Sequence, residues 1–384
     1  MRNIKTVLFL LTISAAMSGC GGIFASKNIA PADLEIYAVG DIMAHAPQHK
    51  SAQTKNGSYD FNENYDYVRQ IIAKADVAIC NIEFTFAGFP YAGYPRFSAP
   101  DEIAKAVKNA GFNVAVTANN HMFDNGIGGL KRTIEVLQNA GFKTAGSVLN
   151  VGDKKYTVIE VKGVSVAVIA ATYNSSVASG SVTINGLSVS TEAEKLINHF
   201  GYENLDNDLK KYKNYIKQAK SDGANIIVCY FHAGEEYKRE PNEFQIEIAK
   251  KLAEYGADII FMSHPHVLQK FEILKYKKRN IPVYYSLGNF ISNQRAENLG
   301  HRYSEDGMIA AVSLTYNFNK KRIDAVRTEY IPTWVDKYYK DSRFIYSIVP
   351  LINDWANNPP ITFSGHKNQA RQAYEDIISI LSSN

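Results

Sequence analysis

Asp41, Glu83, Asn120, His232, His264 and His266 are residue types that together bind divalent cations, and each closes or follows a short apolar run. Asp41 comes after LEIYAVG, and Asn81 and Glu83 come after VAIC. Asn119, Asn120 and His121 follow NVAVTA; His232 follows IIVCYF; His264 and His266 follow IIFMS. Read as parallel strands, the five runs deliver every one of these side chains to one edge of one sheet, the carboxyl edge where open α/β sheets bind ligands. Mixed oxygen and nitrogen donors suit one or two ions of Mn, Fe or Zn rather than Ca or Cu.

Each piece also has a blander reading. Asp41 after Gly40 could cap a helix or make a turn. His264-Pro265-His266 could be a turn with two solvated rings. On an extended segment, however, residues two apart point the same way, so both imidazoles would face one cluster. Glu83 lies between Ile82 and Phe84, and a buried carboxylate needs a compensating partner. Asn119-Asn120 could simply turn the chain, but His121 beside it adds a group that moves protons near neutral pH. Five such strand ends in succession favour a site. Glu235 and Glu236 read as a solvated pair, with Glu236 at most behind the ligands. His45, one turn beyond Asp41, is the remaining histidine near a ligand, while His49, His199, His301 and His366 read as surface residues.

The elements that must position these residues alternate strand and helix from Leu34 to Ser147. Ile127, Leu130, Ile134 and Leu137 form one helical stripe, and Phe244, Ile248, Leu252 and Tyr255 form another. Gly111, Gly141, Gly223 and Gly256 stand where a left-handed residue ends a helix. Tyr156–Tyr173 reads as a hairpin turning at Lys162-Gly163, and Phe271–Ile291 as one turning around Arg279-Asn280. Met308–Phe318 and Arg322–Ile331 make a third antiparallel pair. Residues 174–201 read as a loop or flap, and the chain from Trp334 as two closing helices, the last over Asn368–Leu381. Parallel units mixed with hairpins imply an α/β fold of two sheets packed face to face with helices outside.

Residues 1–19 read as a signal peptide: Arg2 and Lys5 precede an apolar stretch from Thr6 to Ala16 that is too short to span a bilayer. Met17-Ser18-Gly19-Cys20 resembles the bacterial lipobox, which makes Cys20 a lipidated N-terminus and residues 20–33 a tether. The expected address is the cell envelope, on the periplasmic or surface face. The net charge of +4 falls to about +2 without Arg2 and Lys5. No basic run exceeds Lys277-Lys278-Arg279, which argues against nucleic acid as a partner. Cys80 and Cys229 sit inside apolar runs and read as buried free thiols.

Six motifs in order resemble a known family. They are Gly40-Asp41-Ile42-Met43, Asn81-Ile82-Glu83, Ala118-Asn119-Asn120-His121 with Asp124 and Gly126, His232-Ala233-Gly234-Glu235-Glu236-Tyr237, His264-Pro265-His266-Val267 and Tyr285-Ser286-Leu287-Gly288-Asn289-Phe290. Over residues 34–292 they are similar to the CapA proteins linked to poly-γ-glutamate capsule synthesis and export. That family looks related to calcineurin-like metallophosphoesterases, which have a four-layer αββα fold and a two-metal centre.

The resemblance implies a CapA-like domain over 34–333 with a helical extension over 334–384. It implies Asp41 on the first metal, Glu83 bridging, Asn120, His232 and His264 on the second, and His266 returning to the first. His121 would be the general acid that protonates the leaving group, oriented by Asp124, with a hydroxide held between the ions as nucleophile. Asn81, Asn119, Glu236, Ser286 and Asn289 would support the ligands or meet substrate. Two positions depart from the phosphoesterase pattern: Met43 stands where Asp-x-His has its histidine, and Glu83 replaces an Asp. The first metal then lacks the imidazole of that motif unless His45 supplies one. Two functions follow as expectations. One is a hydrolase of a phosphoester or of an anionic envelope polymer, working beside capsule-synthesis membrane proteins. The other is a non-catalytic polymer-binding subunit of an export assembly.

Overall fold

The computed structural model describes residues 29–176 and 182–382. The expected signal peptide over 1–19 and the lipidation site Cys20 lie outside the described residues. In chain order, β1 (Ala32–Ile42), α1 (Ala46–Ala52), α2 (Arg69–Ile72), β2 (Val77–Ile82), α3 (Glu102–Asn109), β3 (Val114–Val116), α4 (Gly126–Asn139) and β4 (Lys143–Ala145) form the first part. The hairpin of β5 (Thr157–Val161) and β6 (Val164–Ser176) leads to β7 (Val182–Ile184), β8 (Leu187–Ser188), α5 (Thr191–Glu194) and β9 (His199–Gly201). Next come α6 (Leu205–Ser221), β10 (Ile226–His232), α7 (Glu243–Tyr255), β11 (Ile259–Ser263), β12 (Phe271–Tyr276) and β13 (Arg279–Tyr284). The chain closes with β14 (Asn289–Ile291), α8 (Ala296–Leu299), β15 (Asp306–Asn317), β16 (Arg322–Lys340), β17 (Arg343–Pro350), α9 (Pro359–Ser364) and α10 (Lys367–Leu381).

These strands make two mixed sheets. The first runs β17-β16-β15-β1-β2-β3-β4, with β14 beside the end of β1. The second runs β12-β13-β11-β10-β6-β7-β8, with β5 and β9 also on β6. Side-chain alternation along a strand decides what each face meets. Leu34, Ile36 and Ala38 of β1 enter the same core as Val166, Val168 and Ala170 of β6 and Val228 and Tyr230 of β10. Tyr37 and Val39 turn instead toward Ile103, Val107 and Leu137 of α3 and α4. Ile227, Cys229 and Phe231 turn toward Leu209, Ile216, Ile248 and Leu252 of α6 and α7. The result is the expected four-layer αββα sandwich of two mixed sheets flanked by helices. Tyr230 joins its inner layers, donating to Val39 O at 3.0 Å.

Several local expectations change. The five polar strand ends come from two facing sheets, not from one edge: β1, β2 and β3 supply Asp41, Glu83 and the Asn119–His121 turn, and β10 and β11 supply His232, His264 and His266. The second hairpin turns at Lys277-Lys278, two residues earlier than expected, because Arg279 and Asn280 already pair with Tyr276 and Lys275. Residues 174–201 are not a bare loop, since the end of β6 and all of β7, β8, α5 and β9 lie there. The segment after Trp334 is not all helix: β16 continues to Lys340 and β17 pairs with it before α9 and α10. Gly111, Gly141, Gly223 and Gly256 all have positive φ, as the helix-end reading requires. Cys80 and Cys229 are buried and free.

Candidate metal centre

Asp41 and Asn289 come together because two chain segments nearly touch. Asp41 N donates to Gly288 O at 3.0 Å, and a Cβ on Gly40 would lie 1.9 Å from that same oxygen. Only glycine fits at position 40, which is why the β1 run ends in Gly-Asp. β2 brings Asn81 alongside, and its Nδ2 donates to Asp41 Oδ1 at 2.8 Å. Asn119 braces the next strand end, with Nδ2 donating to Asn81 Oδ1 at 3.0 Å and to Ile82 O at 2.7 Å.

The facing sheet brings imidazoles. His232 Nε2 lies 2.8 Å from Asn120 Oδ1 and 3.7 Å from Glu83 Oε1, while Ser263 Oγ sits 3.0 Å from its Nδ1. His266 Nδ1 lies 3.0 Å from Asn289 Oδ1 and 3.2 Å from Asp41 Oδ2, both acceptors, so the proton belongs on Nδ1. Its Nε2 then faces Glu83 Oε1 at 3.7 Å. The two histidines do not converge by lying on an extended segment. His264 has φ 108° and His266 φ 57°, a left-handed backbone that non-glycine residues rarely adopt. Such strain is held where the surrounding structure fixes it, and it clusters at functional sites.

The electrostatics are those of a cluster short of positive charge. Asp41, Glu83 and His232 are wholly buried. Burial, reinforced by the Asp41 charge, holds the Glu83 carboxyl well above its usual range. Burial alone would raise Asp41 too, but the His266 hydrogen bond and charge hold it below the usual carboxylate range. Burial keeps His232 neutral, pushed down to about 3, and holds His264 well below the ordinary imidazole range. His266 is the exception: burial opposes its charge, yet Asp41 raises it.

Both Glu83 oxygens and His264 Nδ1 are buried without a hydrogen-bond partner. Unpartnered buried polar atoms are costly, and a cation among them would remove the cost. Donor atoms of Asp41, Glu83 and His232 lie within 4.8 Å of one another, as do those of Glu236, His264 and His266. The residues present therefore fit one or two divalent ions. Glu236, expected only behind the ligands, stands in the second group. Ser286 does not reach the cluster; its Oγ donates to Val267 O at 2.7 Å and braces the turn before Asn289.

His45 belongs to neither donor group. Its Nδ1 sits 3.2 Å from Gln48 Oε1 and 3.3 Å from Asn293 N at the start of α1. Met43 is buried in the outer core with Ile42 and Phe84. His121 is set apart in another way. It is 4% exposed, its Nδ1 lies 2.8 Å from Asp124 Oδ2, and Phe97 packs edge-on at 4.6 Å between ring centres. Among the described residues it joins no metal-capable group. Tyr173 was not singled out by sequence, yet its ring lies 4.8 Å from that of His264. The signal was weaker: Tyr173 closes the apolar part of β6, three residues before that strand ends.

The solved structures similar to this chain include a calcineurin-like phosphoesterase from Bacillus subtilis, 14% identical, with TM-score 0.41, covering 90% of this chain and 99% of that one. A novel phosphatase from Mycoplasma pneumoniae is 14% identical, with TM-score 0.43, covering 79% and 94%. By sequence, a capsule biosynthesis protein CapA of Bacillus anthracis is 38% identical over 52% of this chain and 44% of its own length. A PGA biosynthesis protein CapA of Bacillus subtilis is 28% identical over 75% of this chain and 71% of its own. The chain thus spans less than half of the first relative's length and about seven tenths of the second's. The profile described as bacterial capsule synthesis protein PGA_cap matches residues 35–294, the stretch that holds every donor of the cluster. The chain belongs to this bacterial capsule synthesis protein family.

Proposed function

We propose that this chain is a metal-dependent hydrolase of the cell envelope, acting on a phosphoester or on a bond of an anionic capsule polymer. Asp41, Glu83, Asn120, His232, His264 and His266 would hold one or two divalent ions, with Glu236 beside them. In such sites the ion supplies Lewis acidity and a nucleophile at neutral pH. The observation that carries hydrolysis is the His121–Asp124 pair, 2.8 Å apart and buried next to the donors. Asp124 fixes the imidazole through Nδ1, which leaves Nε2 to hold and release the proton a leaving group needs. A protein that only binds polymer has no use for that arrangement.

The proposed address is a lipoprotein anchored through Cys20 and working beside capsule-synthesis membrane proteins. Support comes from the lipobox-like Met17–Cys20 and from the family's place in capsule synthesis. The second reading, a non-catalytic polymer-binding subunit, has one specific observation in its favour: Met43 fills the place of an imidazole ligand with a core side chain.

Turnover and metal content of the purified full chain separate the two. The hydrolase reading expects cleavage of a phosphodiester or γ-glutamyl oligomer that chelation abolishes. It also expects His121→Gln to slow cleavage by about 10²–10⁴-fold at unchanged metal content. Full metal loading without turnover on either substrate class would leave the polymer-binding subunit.

A further inference from the structure

The run Lys277-Lys278-Arg279 has no part in the centre described above. It makes the β12–β13 turn at the opposite end of the sandwich. At a rise of about 3.3 Å per residue along β1 from Ala32 to Asp41, that end lies roughly 30 Å from the centre. A cleft of about 970 Å³ opens there between the two sheets. Lys220, Lys278, Arg279, Lys321 and Arg322 line it, against two carboxylates, Asp258 and Asp324. Those carboxylates are already engaged: Arg279 lies 3.5 Å from Asp258, and Arg322 and Lys320 lie 2.7 Å and 3.6 Å from Asp324. Lys277, Lys278 and Lys321 are exposed and have no ion-pair partner among the described residues. Lys277 and Lys321 also hold left-handed backbone in their turns.

A second observation concerns where the chain enters the fold. Ile29 lines the same cleft and is 54% exposed. Asn319, in the turn between β15 and β16, clamps it: Ile29 N donates to Asn319 Oδ1 at 3.3 Å, and Asn319 Nδ2 donates to Ile29 O at 2.9 Å. The chain that leads back to Cys20 and to the apolar stretch Thr6–Ala16 therefore leaves from the middle of the basic end.

We propose that the basic end formed by the β12–β13 and β15–β16 turns docks on anionic phospholipid headgroups, with the metal centre facing away from the bilayer. Lysines near such a surface each add about 1 kcal/mol of attraction, which decays within a Debye length. A tether emerging from the same face holds the cations within that range. A soluble anionic polymer offers similar charge, but the exit of the chain toward a membrane anchor favours the bilayer. The tether argument rests on the lipid-anchor reading; the charge argument stands without it.

The test uses the full chain with vesicles of phosphatidylcholine alone or mixed with phosphatidylglycerol. Flotation reads attachment, and backbone hydrogen exchange at residues 277–279 and 319–322 reads docking. The expected result is flotation with both vesicles but protection of the two turns only on the mixed ones. In a Lys277→Gln, Lys278→Gln, Lys321→Gln chain, exchange elsewhere stays unchanged while protection at the turns falls about fivefold for each cation removed. Flotation without protection on the mixed vesicles overturns the docking and leaves the anchor. Protection and flotation on the mixed vesicles, with no flotation on phosphatidylcholine alone, supports the docking and removes the anchor. Equal protection by soluble polyglutamate in the absence of vesicles overturns the proposal in favour of a polymer site.

Discussion

Asp124 Oδ2 serves two partners at once: it lies 2.8 Å from His121 Nδ1 and accepts from Phe97 N at 2.8 Å. Phe97 in turn packs against the His121 ring, so carboxylate, imidazole and loop backbone lock one another in place. Asp124→Asn keeps the shape and can present an N–H where an acceptor is needed. The expected outcome is a fall in turnover approaching that of His121→Gln, with unchanged metal content and a displaced pH profile. A purely structural role would lower the melting temperature and leave the pH profile where it was.

Divalent metal should stabilise the fold, because it binds the native donor set and not the unfolded chain. At a concentration about a hundred times its dissociation constant the gain is about 2.7 kcal/mol, a rise of a few degrees in melting temperature. Glu83→Gln removes a donor from the centre of the cluster and should abolish most of that rise. Thermal scans with chelator and with Mn or Zn check this, and an undiminished rise in the variant would place the ion elsewhere.

Gly40→Ala touches no ligand yet should empty the centre. Its methyl would meet Gly288 O at 1.9 Å, so β1 must shift away from the chain before Asn289. Asp41 and the Asn289 that orients His266 would then move apart. The expected result is loss of most bound metal together with a clear loss of stability, read by metal analysis and urea unfolding. Full metal content in a folded variant would show that the close approach is dispensable.

His199, expected on the surface, is buried, with Nδ1 2.7 Å from Asn174 Nδ2. Burial, helped by the Lys211 and Lys155 charges, pushes it down from 6.5 to about 4. The unfolded chain therefore binds a proton that the native chain refuses, and stability is lost as pH falls from 6.5 toward 4. The loss from this one ring reaches roughly 3 kcal/mol at the lower end. His199→Gln should flatten that part of the stability profile in urea unfolding at stepped pH, and an unchanged slope would assign it to other groups.

The centre was legible in sequence because apolar strand runs must stop at the sheet edge, and what stands at each stop is unusually rich in donors. Asp41, Glu83, Asn120, His232, His264 and His266 do come together, but across two facing sheets rather than along the single edge the pattern implies. The partition into two sheets was not legible, since pairing depends on contacts far apart in the chain. The β16–β17 pair was missed for a local reason. Residues 332–336 are buried on both faces, so the period of two that marks a half-exposed strand is absent. The geometry of His264-Pro265-His266 was misread because nothing in residue type announces positive φ at two histidines.

The split of donors between facing sheets also sets the order in which the molecule can come apart. Asp41, Glu83 and Asn120 ride on one layer, and His232, His264 and His266 on the other. The group of Asp41, Glu83 and His232 draws its donors from both layers, whereas Glu236, His264 and His266 come from one. A breathing motion that parts the layers by the width of a water molecule would break the Asp41, Glu83 and His232 group while every strand remained paired. The centre is thus a latch across a seam, and it reports on the closure of that seam sooner than any measure of secondary structure.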